Sequence, residues 1–106
     1  MKLQSQRYYY VYIVTNKHKT TMETGLTADL QLSVSQLEFK ARRKSEESGE
    51  NCFLVYWERL TNVEEALERE KELKESSRRK KEQIIRAQNP DWRFFNNDIS
   101  EVFPVL

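Results

Sequence analysis

The sequence predicts a small α+β domain whose elements run β-β-α-β-α-α. Three observations carry this. Residues 8–14, Tyr-Tyr-Tyr-Val-Tyr-Ile-Val, and 53–57, Phe-Leu-Val-Tyr-Trp, are runs of β-branched and aromatic residues too short for buried helices. Between and after them lie three longer stretches with apolar residues at helical spacing, each opened by a residue that can cap. A chain of 106 residues, 33% charged and 38% hydrophobic, can bury one modest core but not two.

The first run and its return read as a hairpin. Asn16, Lys17, His18 and Lys19 make a polar turn, and the chain returns through Thr20 to Thr24 and reaches Gly25, where the strand is expected to stop. Strand side chains alternate, so Tyr8, Tyr10 and Tyr12 share one face while Tyr9, Val11 and Ile13 share the other. Glu23 and Thr21 oppose Met22 and Thr24 in the same way. Three phenols on one face are unusual for a plain core, because each hydroxyl needs a partner.

Thr27 is the expected N-cap of a helix beginning at Ala28, with Asp29 in its first turn. Leu30, Val34, Leu37 and Ala41 form its core stripe. Leu32 and Phe39 fall on the opposite face, as a partner surface or as isolated exposed residues. Lys44 to Asn51 has the composition of a mobile loop. After the third strand, Thr61 or Asn62 caps a helix from Val63, with Val63, Ala66, Leu67 and Leu73 as its apolar face. Glu70 falls in the middle of that face. A carboxylate there requires a hydrogen bond from a Tyr, an ion pair or a metal.

Ser76 or Ser77 caps the third helix, which runs through Ile84, Ile85 and Ala87 and stops before Pro90. Arg78, Arg79, Lys80 and Lys81 crowd its first turn, at the end where the helix dipole favours anions. A bound phosphate would reconcile this arrangement; the alternative is a solvated basic surface. Trp92, Phe94 and Phe95 anchor a C-terminal tail, and Val102 to Leu106 is apolar enough to dock on the domain or on a second copy.

Lys plus Arg number 18 against 17 Asp plus Glu, so the net charge of +1 names no partner. The charge is segregated nonetheless: Lys40 to Lys44 and 78–81 are basic, Glu46 to Glu50 and most of 63–74 acidic. One cysteine, Cys52, and one histidine, His18, cannot build a structural zinc site. A lone cysteine beside an apolar run reads as a small buried hydrophobe in a reducing compartment. With no apolar N-terminal stretch and no run long enough to span a bilayer, the expectation is a cytoplasmic protein without membrane partners. There is no Ser/His/Asp set and no phosphate-cradling glycine loop.

Four stretches together carry a resemblance: Tyr-Val-Tyr-Ile-Val-Thr-Asn-Lys at 10–17, Gly-Leu-Thr-Ala-Asp-Leu at 25–30, Val-Glu-Glu-Ala-Leu-Glu-Arg-Glu-Lys at 63–71 and Asn-Pro-Asp-Trp-Arg at 89–93. The chain resembles the GIY-YIG endonuclease superfamily, in particular its small stand-alone bacterial branch. The resemblance implies a small antiparallel three-stranded sheet flanked by helices. It divides the chain into an N-terminal extension at 1–7, a domain at 8–93 and a tail at 94–106.

The implied chemistry is hydrolysis of a DNA phosphodiester assisted by one divalent ion, Mg or Mn, held by a glutamate on the second helix. Tyrosines from the hairpin position the water, and an arginine on the first helix neutralises the phosphate. Carried across, Tyr12 keeps the first motif's tyrosine and Glu70 matches the metal ligand. The second motif reads Glu23-Thr24-Gly25, so Glu23 replaces its tyrosine. Ser33 stands at the arginine position, Leu32 beside it where a basic residue is usual, and Leu37 where this branch often has histidine. The expectation is a domain that has lost DNA cleavage and acts as a nucleic-acid-binding or interaction module. It would bind DNA or RNA weakly and without sequence preference through Arg78, Arg79, Lys80 and Lys81, assisted by Lys40, Arg42 and Arg43. A homodimer through Leu32, Phe39 or the tail is a further expectation. The alternative is a metal-dependent endonuclease with an altered site at Tyr12, Glu23 and Glu70, with Arg42 or Arg43 replacing the missing cation.

Overall fold

A computed structural model describes residues 7–43 and 50–99. The expected N-terminal extension up to residue 6, most of the expected mobile loop (44–49) and the apolar Val102 to Leu106 segment lie outside the described residues. The elements are β1 (Tyr9–Thr15), β2 (Met22–Thr27), α1 (Leu30–Arg42), β3 (Phe53–Leu60), α2 (Val63–Glu75) and α3 (Arg78–Gln88). The sheet is antiparallel in the order β2-β1-β3, so the aromatic first strand is central.

The alternation expected in β1 divides the molecule into two layers. Val11 and Ile13 face Ala66 of α2, Ile85 of α3 and, at the margin, Trp92 and Phe94. Tyr10 and Val14 face Leu30 and Val34 of α1 together with Ile99, with Tyr12, Leu37, Trp57 and Phe95 around them. Both faces of one small sheet are therefore covered, which allows a chain of this size to bury Val11, Ile13, Leu54 and Val55 completely. Tyr56 pairs with Ile13 and Leu54 with Val14, which leaves Val55 as the extra residue of a bulge. The bulge lets the neighbours Val55 and Tyr56 enter the same core layer.

Several element boundaries differ from expectation. β2 does not stop at Gly25 but continues to Thr27, because Leu26 and Thr27 still pair with Val11 and Tyr10. β3 extends beyond Trp57 to Leu60 for the same reason, pairing with β1 as far as Tyr9. Asp29, not Thr27, caps α1: its carboxylate accepts from the Leu32 amide at 3.0 Å, and the helix starts at Leu30. Thr27 instead steadies the cap, its Oγ1 accepting from the Asp29 amide at 3.0 Å. Asn62 and Ser77 cap α2 and α3. On α2, Val63 and Leu67 are 42% and 52% exposed, so the expected apolar face narrows to Ala66 and Leu73. α2 lies mainly across β1 and the edge strand β2 and also touches β3.

The edge of β3 is closed by side-chain amides. Gln88 brackets Trp57, accepting from its amide at 3.2 Å and donating to its carbonyl at 2.7 Å. Asn89 donates to the Val55 carbonyl at 2.9 Å, and Asn96 accepts from the Leu54 amide at 2.8 Å. The Phe95 amide donates to the Leu54 carbonyl at 2.7 Å. Backbone groups that would template another strand are thereby occupied. Asn89 also receives the Arg93 amide and donates to the Arg93 carbonyl, both at 2.9 Å, and closes a turn at Pro90 and Asp91. The Asn-Pro-Asp-Trp-Arg stretch is thus a clamp between the end of α3 and β3.

Candidate functional site

The site is built where the hairpin meets α2. Tyr12 on β1 pairs directly with Gly25 on β2. A β-carbon at Gly25 would collide with Tyr12 Cζ and Oη, so the phenol ring lies across the glycine on the edge strand. This close approach, not backbone conformation, is what calls for glycine at 25. Glu23 is two residues back along β2 on the same face, opposite Val14, and is exposed.

Glu70 approaches from α2. Its side chain is 19% exposed, and its Oε2 is 3.1 Å from Lys74 Nζ one turn on. The ion pair expected as one explanation for a carboxylate on this face is thus present. Burial raises the Tyr12 pKa above the ordinary phenol value, and the charges of Glu23 and Glu70 push it further in the same direction. The ionised phenolate is therefore disfavoured at this position.

Ser33 sits on the same side of the sheet. Its Oγ donates to Thr27 Oγ1 at 2.7 Å, which ties the start of α1 to the end of β2. Arg69, the half-buried cation of α2, binds Glu58 and Glu72. Tyr12, Glu23 and Glu70 are thus brought into electrostatic contact, with Lys74 bound to one of the carboxylates.

The basic residues do not join this cluster. Arg42 and Arg43 lie at the far end of α1, with Arg43 over the Phe39 ring at 5.8 Å. Leu32 and Phe39 are 53% and 56% exposed on the outer face. Arg79 and Lys80 are exposed in the first turn of α3. Arg78 is tied down: it pairs with Glu82 at 2.9 Å and donates to the carbonyls of Thr20 at 2.8 Å and Lys19 at 2.9 Å. It fastens α3 to the hairpin turn.

Sequence reasoning placed Asn16 in the turn without its bonding role, and missed Asn96 altogether. Asn16 is buried and accepts from the Thr20 amide at 2.8 Å while donating to Thr20 Oγ1 at 2.7 Å, so it shapes the hairpin turn. Asn96 joins β3 to Glu38 of α1 at 2.6 Å. An Asn immediately after a strand is a turn signal, which is how Asn16 was legible; nothing local marks Asn96.

A family model described as the GIY-YIG catalytic domain matches residues 8–83. The chain belongs to the GIY-YIG family. Among solved structures, it is similar to a UPF0213 protein from Bacillus halodurans, determined by solution NMR. The two are 29% identical, with a TM-score of 0.52 over 88% of this chain and 95% of that one. No match is found among curated proteins. Both hairpin strands lie within the matched residues, and their register sets Tyr12 opposite Gly25, with Glu23 opposite Val14. No helix of the described residues is long and apolar enough to cross a membrane.

By donor type the cluster is compatible with a hard divalent ion. Glu70, with Glu23 as a second carboxylate, supplies the oxygen ligands that Mg or Mn prefers. No group of three His, Cys, Asp or Glu residues converges among the described residues, so water or substrate oxygens would complete the shell.

Proposed function

We propose that this GIY-YIG domain has lost DNA-cleaving activity and serves as a nucleic-acid-binding module. The observation that carries the reading is the electrostatics around Tyr12. Burial, and after it the charges of Glu23 and Glu70, raise the Tyr12 pKa, while Ser33, which the family resemblance sets at the arginine position, is hydrogen-bonded to Thr27. A phosphate approaching this cluster meets Glu23 and a Glu70 already paired with Lys74, without the α1 arginine that would neutralise its transition state. Loss of one such group typically costs about 10²–10³ in rate.

A metal, when bound, would supply charge neutralisation at the phosphate; Glu70 and Glu23 would hold it, in competition with Lys74. The remaining residues act structurally: Gly25 admits the Tyr12 ring, and Ser33 closes the helix start. The working unit runs over 8–93, with the described part of the tail folded against β3. Nucleic acid is held by the exposed cations Lys40, Arg42, Arg43, Arg79 and Lys80 together with the half-buried Lys81, so binding should be indifferent to sequence and fall steeply with salt.

The test is incubation with supercoiled, linear and branched DNA in Mg²⁺ and Mn²⁺, beside binding titrations at two salt concentrations. The expected result is binding without cleavage, and no thermal stabilisation by Mg²⁺ in wild type or Glu70→Gln. Cleavage abolished by Glu70→Ala, or metal stabilisation of the wild type alone, would establish a working metal site and overturn the reading.

A further inference from the structure

On the sheet face opposite the one Tyr12 presents, a cavity of about 350 Å³ opens between the hairpin turn, α3 and the turn that follows it, lined by Lys19, Arg78, Glu82, Arg86 and Trp92. Arg78, Glu82 and Arg86 are four residues apart on α3, so they form one stripe along the helix. Glu82 is engaged by Arg78. Arg86 is exposed, and Lys19 Nζ is held 5.2 Å from the centre of the Phe94 ring. Three cations against one acid leave this concave surface with a net charge of +2.

Two further features coincide here. Lys19, at φ 62°, and Trp92, at φ 54°, are the non-glycine residues with positive φ among the described residues, and both line this cavity. Such conformations persist only where the surroundings enforce them. At Trp92 the Asn89 clamp does so; at Lys19 the Asn16 turn and Arg78 do. The Trp92 Nε1–H is moreover buried without a hydrogen-bond partner. Clamped backbone and unneutralised cations meet at one place away from the Tyr12 cluster, with Trp92, whose indole N–H is buried, in its wall.

We propose that this cavity is an anion site for a phosphate group, with Lys19 and Arg86 as its charged contacts and Arg78 as the cation that holds its two walls together. The phosphate comes either from free phosphate or from a nucleic-acid backbone; only the second source rests on the function proposed above. Arg78 itself needs no rearrangement, since its guanidinium is already anchored to the carbonyls of Lys19 and Thr20.

The two tryptophans give the protein two indole N–H signals, and that of Trp92 reports on the cavity. ¹⁵N-labelled protein at low ionic strength is titrated with inorganic phosphate, with chloride of matched ionic strength, and with a mixed-sequence single-stranded DNA oligonucleotide. Phosphate, the oligonucleotide or both should move the Trp92 signal while chloride leaves it in place. Apparent affinity should weaken roughly tenfold in Arg86→Gln and in Lys19→Asn, whose new side chain tolerates positive φ. Movement by phosphate alone identifies a free anion as the source, and movement by the oligonucleotide identifies the backbone. A Trp92 signal indifferent to both, or one that moves equally in the variants, overturns the site. Nucleic-acid binding that persists with Trp92 unmoved overturns this cavity and leaves the proposed function standing. A phosphate response without any nucleic-acid binding does the reverse.

Discussion

Substituting Gly25 by alanine tests the contact on which the candidate site is built. The φ of Gly25 lies outside the left-handed region, so the backbone does not demand glycine. On strand preference alone, alanine should stabilise by about 0.5–1 kcal/mol. Its methyl group, however, would collide with Tyr12 Cζ and Oη at the middle of a paired strand. The ring is rigid and flanked by the Leu30–Val34 layer, so relief requires moving either the ring or the edge strand. Overpacking of this kind costs about 1–3 kcal/mol. The two effects oppose, and the net expectation is a loss of about 1–2 kcal/mol, or a fall in Tm of roughly 5–15 °C. Tyr12→Phe should not relieve the clash, because Cζ remains. In a Tyr12→Ala background, Gly25→Ala should become neutral or stabilising. Thermal and urea melts of the four proteins in the Gly25/Tyr12 cycle measure the coupling directly. An alanine that stabilises the otherwise wild-type protein, or costs as much without the ring as with it, would refute this placement of Tyr12.

The edge clamp and the ionisable groups give three more expected outcomes. Asn89→Ala strips two carbonyls and one amide of their partner at the β3 edge, and should cost about 2–4 kcal/mol while speeding amide exchange at Arg93; a loss below about 1 kcal/mol would show that the clamp is dispensable. Burial raises the pKa of Tyr12, Tyr56 and Cys52 above their ordinary values of 10.0, 10.0 and 9.0, so the folded state keeps protons that the unfolded chain releases. Their contribution should be complete below pH 9 and decline as pH rises through 10 and beyond, giving falling urea midpoints. Glu23→Gln should make the decline shallower, because Glu23 is the larger of the two carboxylate influences on Tyr12. A flat profile to pH 11 would contradict that (an upper limit set roughly one unit above the tyrosine reference).

The element order, the two-faced first strand and the fold family were legible in local sequence, because side-chain alternation, capping residues and proline act over a few residues. So was the anomaly of Glu70, since helical spacing alone puts it between Ala66 and Leu73 on α2. What holds it was not. Lys74, four residues on, is in reach through helix geometry alone, but pattern also offered a tyrosine or a metal, and the folded structure shows the ion pair. Strand ends were misjudged for the same kind of reason: Leu26, Thr27 and Glu58 to Leu60 are strand because β1 is there to pair with them. Arg78 looked like a solvent-facing cation in a basic turn, and became a fastener once the hairpin turn was folded beneath it. The cavity walled by Lys19, Arg86 and Trp92 draws residues from three segments far apart in the chain. Their charges are written in the sequence, but their convergence comes from tertiary packing and from the backbone hydrogen bonds that force Lys19 and Trp92 into left-handed conformations.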